Sequence, residues 1–130
     1  MEKQVDILIV GAGISGIGLA VHLSKNCPQR KFEILERRES FGGTWDLFKY
    51  PGIRSDSDMS TFGYNFKPWG KEKVLASGPE IKSYLSDVIR ENHLNEKIHY
   101  QHRVLSANYD SSKQKWIVEI EDSNHKKQTW

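Results

Sequence analysis

The stretch VDILIVGAGISG, residues 5–16, runs a short apolar segment directly into a glycine-rich turn. Val5 to Val10 is rich in β-branched residues and reads as a fully buried parallel strand. Gly11, Gly13 and Gly16 fit the spacing G-x-G-x-x-G. That pattern is weak alone and gains value between a strand and a helix. Ser15 to Lys25 reads as the helix. Ile14, Ile17 and Val21 fall at i, i+3 and i+7, Leu19, Ala20 and Leu23 widen the face, and Asn26 and Pro28 end it. Phe32 to Leu35 reads as a second strand, which completes a βαβ-type start and predicts an α/β, Rossmann-like class.

Each residue type has a reason at this spacing. Gly11 permits the tight turn, Gly13 lets backbone approach a pyrophosphate, and Gly16 lets helix and strand pack closely. The helix N-terminus offers N–H donors and a partial positive charge to phosphate, and the Ser15 hydroxyl can add a hydrogen bond. Glu36 follows Gly16 by 20 positions, where a ribose-binding carboxylate is expected. It would oppose a 2′-phosphate, which favours FAD or NAD over NADP at this site. Arg37 and Arg38 work against that argument, because either can counter a phosphate. The βαβ unit leaves FAD and NAD open.

Outward from this unit, residues 37–78 show no sustained period and are dense in Gly, Pro, Ser, Asp and aromatics. A loop of that length in a compact domain usually has a function. Gly42-Gly43 allows backbone to approach a planar group. Pro51-Gly52 suits a type II turn. Trp45, Phe48 and Tyr50 offer flat apolar surface. Pro79 to Leu94 is a clear amphipathic helix, with Ile81, Tyr84, Leu85, Val88 and Ile89 on one stripe and Ser77 as cap. Ile98 to Tyr100, Val104 to Tyr109 and Trp116 to Ile120 read as strands. The last two are joined by a polar turn, and Gln128-Thr129-Trp130 opens a further strand-like run.

The segment from Glu36 through GGTWDLFKYPGIRSDSDM, residues 42–59, followed by Phe66-Lys67-Pro68-Trp69, resembles the class B flavoprotein monooxygenases, and within them the Baeyer–Villiger type. The resemblance extends from about Val5 to the end of the chain and is most specific over residues 36–69. It implies FAD at this site and NADPH as reductant. It implies that Gly11, Gly13, Ser15 and Gly16 hold the pyrophosphate and Glu36 the adenosine ribose. Gly43, Thr44, Trp45, Asp46 and Leu47 would line the path toward the flavin, and Asp56 would sit near its ring. Arg54 and Ser55 would face the nicotinamide cofactor, and the backbone of Val104 would meet the adenine. Enzymes of that family transfer one oxygen atom to a ketone or to sulfur or nitrogen, so a ketone or a thioether- or thioamide-like small molecule is the implied substrate. They also carry a second glycine motif and a Phe, Gly, His and Trp fingerprint. Neither occurs in these 130 residues, so the expectation is an N-terminal part of an FAD-binding domain, inactive alone, with the catalytic residues elsewhere. Two other readings remain: a stand-alone, non-catalytic dinucleotide-binding module, and a different FAD- or NAD(P)-dependent oxidoreductase sharing only the first fingerprint.

Bulk properties narrow the classes further. The net charge of +2 gives no reason to invoke a nucleic-acid partner. A single cysteine, Cys27, excludes an internal disulfide framework and fits a reducing compartment, hence a cytoplasmic expectation. Placed at a helix C-terminus, it reads as a bystander. The apolar stretch Ile7 to Leu23 is interrupted by four glycines and is too short for a spanning helix, so no transmembrane segment is expected. His99 and His102, three apart in a strand region, are expected to point to different faces, and no metal site is expected.

Overall fold

A computed structural model describes residues 3–55, 63–69 and 76–130. The elements in chain order are β1 (Ile7–Val10), α1 (Ile14–Asn26), β2 (Phe32–Leu35), the one-turn α2 (Thr44–Leu47), α3 (Gly78–Glu91), a 3-10 turn (Asn95–Lys97), β3 (Ile98–His99), β4 (Arg103–Asp110), β5 (Lys115–Glu121) and β6 (Lys127–Thr129). The α/β class, the βαβ start, the amphipathic helix and the β-hairpin or meander near the end of the chain are as expected, the last as an antiparallel sheet of β4, β5 and β6.

The run of apolar residues in β1 follows from its position between two layers. β1, β2 and β3 form a parallel sheet in that order, with Ile7 opposite Phe32, Ile9 opposite Ile34 and Ile34 opposite Ile98. Ile9, Phe32 and Ile34 point to one face and pack with Ile17, Ala20 and Val21 of α1 and Ile81, Leu85 and Val88 of α3. Leu8 and Leu35 point to the other face and meet Val118, Ile120 and Trp130 of the antiparallel sheet β4-β5-β6. Alternate side chains of one strand therefore serve two cores, with Ile9 on one and Leu8 on the other.

α3 begins where its chemistry dictates. Ser77 accepts from the Glu80 N–H, while the Glu80 carboxylate accepts from the Ser77 N–H, a reciprocal capping box with Pro79 in the first turn. Its end differs from the expected Leu94. The helix stops at Glu91 because His93 takes φ 55°, so that the Leu94 N–H reaches the Ile89 carbonyl and the His93 N–H the Arg90 carbonyl. This is a Schellman closure made without glycine, and it turns Leu94 into the core, where it is 1% exposed. The hydrophobic stripe ran through the cap, which is why periodicity overran the helix.

A second difference lies beyond β3. That strand ends at His99, one residue short of Tyr100, and Gln101 adopts φ 56°. The break turns His102 back beside His99, with ring centroids 5.7 Å apart in a T-shaped contact. The expectation of opposite faces assumed a continuous strand. No metal cluster is present among the described residues. Among them, too, no helix is long and apolar enough to cross a membrane.

Gly16 shows how little slack the first turn has. A Cβ placed there would lie 2.0 Å from the Gly11 carbonyl oxygen and 3.3 Å from Ile9 Cγ2. Backbone oxygen cannot yield as a side chain does. Gly16→Ala is expected to cost about 3 kcal/mol, read as a lowered midpoint of urea unfolding, with Gly13→Ala as a comparison, where φ is −85° and a Cβ would meet nothing nearer than 3.7 Å.

Candidate functional site

The turn after β1 builds a cleft of about 310 Å³. One wall is Val10, Gly11, Gly13, Ile14, Ser15 and Gly16; the other is Gly42, Gly43, Thr44 and Trp45. The walls meet by backbone. A Cβ on Gly43 would sit 3.3 Å from the Gly13 Cα, and Gly43 itself holds φ 53°. The Gly42 N–H donates to the Ala12 carbonyl at 2.9 Å, and the Gly11 N–H donates to the Leu35 carbonyl at 2.7 Å. Two glycine-bearing turns far apart in sequence are thus pressed together at the open end of the parallel sheet, the place where α/β sheets bind ligands.

The electrostatics of the cleft come from α1. Its N-cap is Gly13, no side chain caps it, and its first turn contains no acid. The first N–H groups of a helix have no acceptor within it, so the cleft is bordered by donors and by the positive end of the helix dipole. The chemistry of that border suits an anion such as a pyrophosphate. Tyr64 steadies the opposite side of this turn. Its hydroxyl donates to the Ile14 carbonyl, its ring occupies the space that a Cβ on Gly18 would need, and burial pushes the phenol's pKa upward.

Glu36 stands at the end of β2, 5% exposed. Its Oε1 accepts from the Ala12 N–H at 2.9 Å and its Oε2 from the Arg38 N–H at 2.8 Å. One carboxylate therefore fastens the glycine turn to the segment that follows β2. Each oxygen keeps a second lone-pair position, which a ribose hydroxyl can use. The 99–102 turn holds this corner from behind: the Glu36 N–H donates to the His99 carbonyl, and the His102 N–H donates to the Glu36 carbonyl, each at 2.9 Å. Val104 follows on β4, half-buried and packed toward Leu35 and Ile120.

The other expected residues divide. Gly11, Gly13, Ser15, Gly16, Gly43, Thr44 and Trp45 converge on the cleft. Leu47 is exposed and lies off its walls. Ser55 is buried, with its Oγ accepting from the Ala76 N–H at 3.3 Å, and Arg54 bridges Ser77 across the same contact. Asp56 lies outside the described residues. Asp46 turns away from the cleft altogether. It is 3% exposed and surrounded by cations: Lys82 Nζ lies 2.6 Å from Oδ1, Arg38 Nη2 3.2 Å from Oδ2, and Lys49 Nζ 3.7 Å from Oδ1. Its one-turn helix points Thr44 and Trp45 at the cleft and Asp46 behind it. Val10 and Ile14 on the cleft wall, and the Arg38–Asp46–Lys82 cluster, were not foreseen. Val10 and Ile14 flank the glycine motif itself and could have been read from it, whereas no local pattern marks the cluster, because α3 brings Lys82 to Asp46 from 36 residues away.

The Lys82 hydrogen bond, aided by that from Arg38 and by the surrounding positive charge, holds the Asp46 carboxyl below the usual carboxylate range despite its burial. A depressed folded pKa contributes stability that is present above the unfolded value of about 3.9 and is lost as pH falls through the lower folded value. Asp46→Asn is expected to cost about 1–3 kcal/mol at neutral pH, since Lys82 and Arg38 still touch water. The gap in thermal midpoint between the variant and the parent protein should shrink as pH is lowered from 7 to 3.

Over residues 9–71 the chain matches the family model described as an NAD(P)-binding Rossmann-like domain. It is 85% identical over all 130 residues to a protein of Acinetobacter sp named "Probable FAD-binding monooxygenase AlmA", covering 26% of that protein. Over 128 residues, 98% of the chain, it is 49% identical to the FAD-containing monooxygenase EthA of Mycolicibacterium smegmatis (strain ATCC 700084 / mc(2)155), again covering 26%. Among solved structures, oxidized steroid monooxygenase bound to NADP superposes with a TM-score of 0.86 at 27% identity, over 98% of this chain and 25% of that one. The chain thus spans about a quarter of the length of the relatives it matches. The glycine cleft, the acid at the end of β2 and similarity along essentially the whole chain agree: by sequence and fold, this chain is similar to about a quarter of the length of FAD-containing monooxygenases.

Proposed function

We propose that this chain forms the ADP-binding part of the FAD site in an NADPH-dependent flavin monooxygenase. Such an enzyme inserts one atom of dioxygen into a ketone, or adds it to sulfur or nitrogen. The second atom leaves as water, at the expense of two electrons from NADPH. The observation that carries the reading is the cleft itself, where backbone donors of α1 face the Gly42–Trp45 turn across a gap that side chains would close.

The residues present fit the cofactor. The N–H groups of the α1 first turn and the Ser15 hydroxyl would hold the pyrophosphate. Glu36 would accept the ribose hydroxyls through the lone pairs that Ala12 and Arg38 leave open. The Val104 backbone would meet the adenine. Gly43, Thr44 and Trp45 would lead toward the ring system, with Asp56, Arg54 and Ser55 further along the loop toward the flavin and the nicotinamide cofactor. When bound and reduced, the flavin supplies the electrons that activate oxygen. The chain's own contribution is binding, orientation and exclusion of water. A ketone or a thioether- or thioamide-like molecule is the substrate class proposed, in a cytoplasmic setting.

Titration of the purified protein with FAD, followed by flavin absorbance and fluorescence, tests this. Binding is expected, and Glu36→Ala should weaken it by about 1.5–3 kcal/mol through loss of a charge-assisted contact. A folded protein that binds no FAD, or Glu36→Ala with unaltered affinity, would overturn the assignment.

A further inference from the structure

The function proposed above requires one protein to handle two adenine dinucleotides that differ at the ribose. FAD has a free 2′-hydroxyl, and NADPH has a 2′-phosphate. Glu36 favours the first, as its charge opposes the phosphate. Yet Arg37 and Arg38 follow it directly, and an arginine just past this acid is the usual means of accommodating a 2′-phosphate. Left free, such an arginine would work against the discrimination that Glu36 provides.

Arg38 is not left free. Its Nε and Nη2 donate to Asp46 Oδ2 at 3.4 and 3.2 Å. Asp46 cannot easily turn aside, because Lys82 holds its other oxygen at 2.6 Å and the Gly42 backbone packs against its Cβ side. Lys82 is fixed in turn by α3, whose buried stripe is part of the core. Lys49 adds a looser contact at 3.7 Å from an exposed position. The backbone of Arg38 is also fixed, with its N–H on Glu36 and its carbonyl accepting from the Gln101 N–H. Arg37 is exposed to water, where a single charge is well screened.

We infer that Asp46 is a specificity-determining residue that lies outside the cleft: by engaging the Arg38 guanidinium it withholds the cation that a 2′-phosphate would use, and so keeps the FAD site closed to NADPH. This rests on the proposed FAD site and adds the residue that enforces its selectivity.

The test is competition against FAD by ADP and by 2′,5′-ADP, using purified protein. The ratio of the two affinities is read on one sample, so partial loss of folded protein does not bias it. In the parent protein 2′,5′-ADP should bind at least about tenfold more weakly than ADP, as expected for a phosphate set against a carboxylate. Asp46→Asn should narrow that gap by about tenfold, and adding Arg38→Ala should restore it. Arg38→Ala alone should leave the ratio unchanged within about twofold, and it carries the test if Asp46→Asn does not fold. An Asp46→Asn variant that weakens both ligands equally would overturn the inference, as would a narrowed gap that Arg38→Ala fails to restore. So would a ratio that widens on Arg38→Ala alone. Failure of the parent protein to bind FAD or ADP would overturn the site itself, whereas binding with an unmoved ratio overturns only the role of Asp46.

Discussion

Backbone meets backbone twice at the first turn, and the rest of the structure is arranged around those two contacts. Gly16 rests on the Gly11 carbonyl, and Gly43 rests on Gly13. The first contact sets how closely α1 can lie on β1. The second sets how closely the 42–45 turn can approach the helix N-terminus. Both are steric and therefore unforgiving: hydrogen bonds stretch at modest cost, whereas a Cβ 2.0 Å from an oxygen has no low-energy solution. The parallel sheet, the antiparallel sheet beneath it and α3 above it hold the two turns at that separation.

Much of this was legible from residue types, because the constraint at each position is local. A strand, a glycine turn, a helix and an acid at a fixed distance state the βαβ unit almost completely. Glycine is also needed where chain approaches chain, so Gly43 is informative before any coordinates exist. The illegible part is of another kind. Asp46 looks like a neighbour of Trp45 and so like part of the same wall. A single helical turn sends the two side chains in different directions, and the partner that claims Asp46, Lys82, is 36 residues away. Nothing in the spacing of residues 44–47 encodes that choice. Leu94 and His102 escaped for a related reason. Each follows a non-glycine residue with positive φ, His93 or Gln101, and neither residue type announces a left-handed turn.

The cationic cluster behind the cleft places positive charge near the glycine turn without lining it. Lys82, Arg38 and Lys49 surround one carboxylate, so the cluster is not electrically balanced by Asp46 alone. Its excess positive charge sits in partial contact with solvent, where it acts over a few ångströms and is screened beyond that. The arrangement separates side chains that sequence places side by side: Thr44 and Trp45 line the cleft, and Asp46 pairs with the cations behind it.

Glu36 has a consequence of its own. The carboxylate suited to ribose hydroxyls also joins Ala12 to Arg38, and so is part of the covalently distant but mechanically continuous frame of the turn. Ligand and fold then draw on the same two oxygen atoms. A bound dinucleotide would stabilise the folded state by mass action, and it would do so through the group that closes the turn when no ligand is present. Occupancy and integrity would then be coupled at one residue: a change at position 36 would alter affinity and the shape of the empty site together, and a bound ligand would reinforce a junction that the Glu36 carboxylate already shares with the backbone bonds from Gly11 and Gly42.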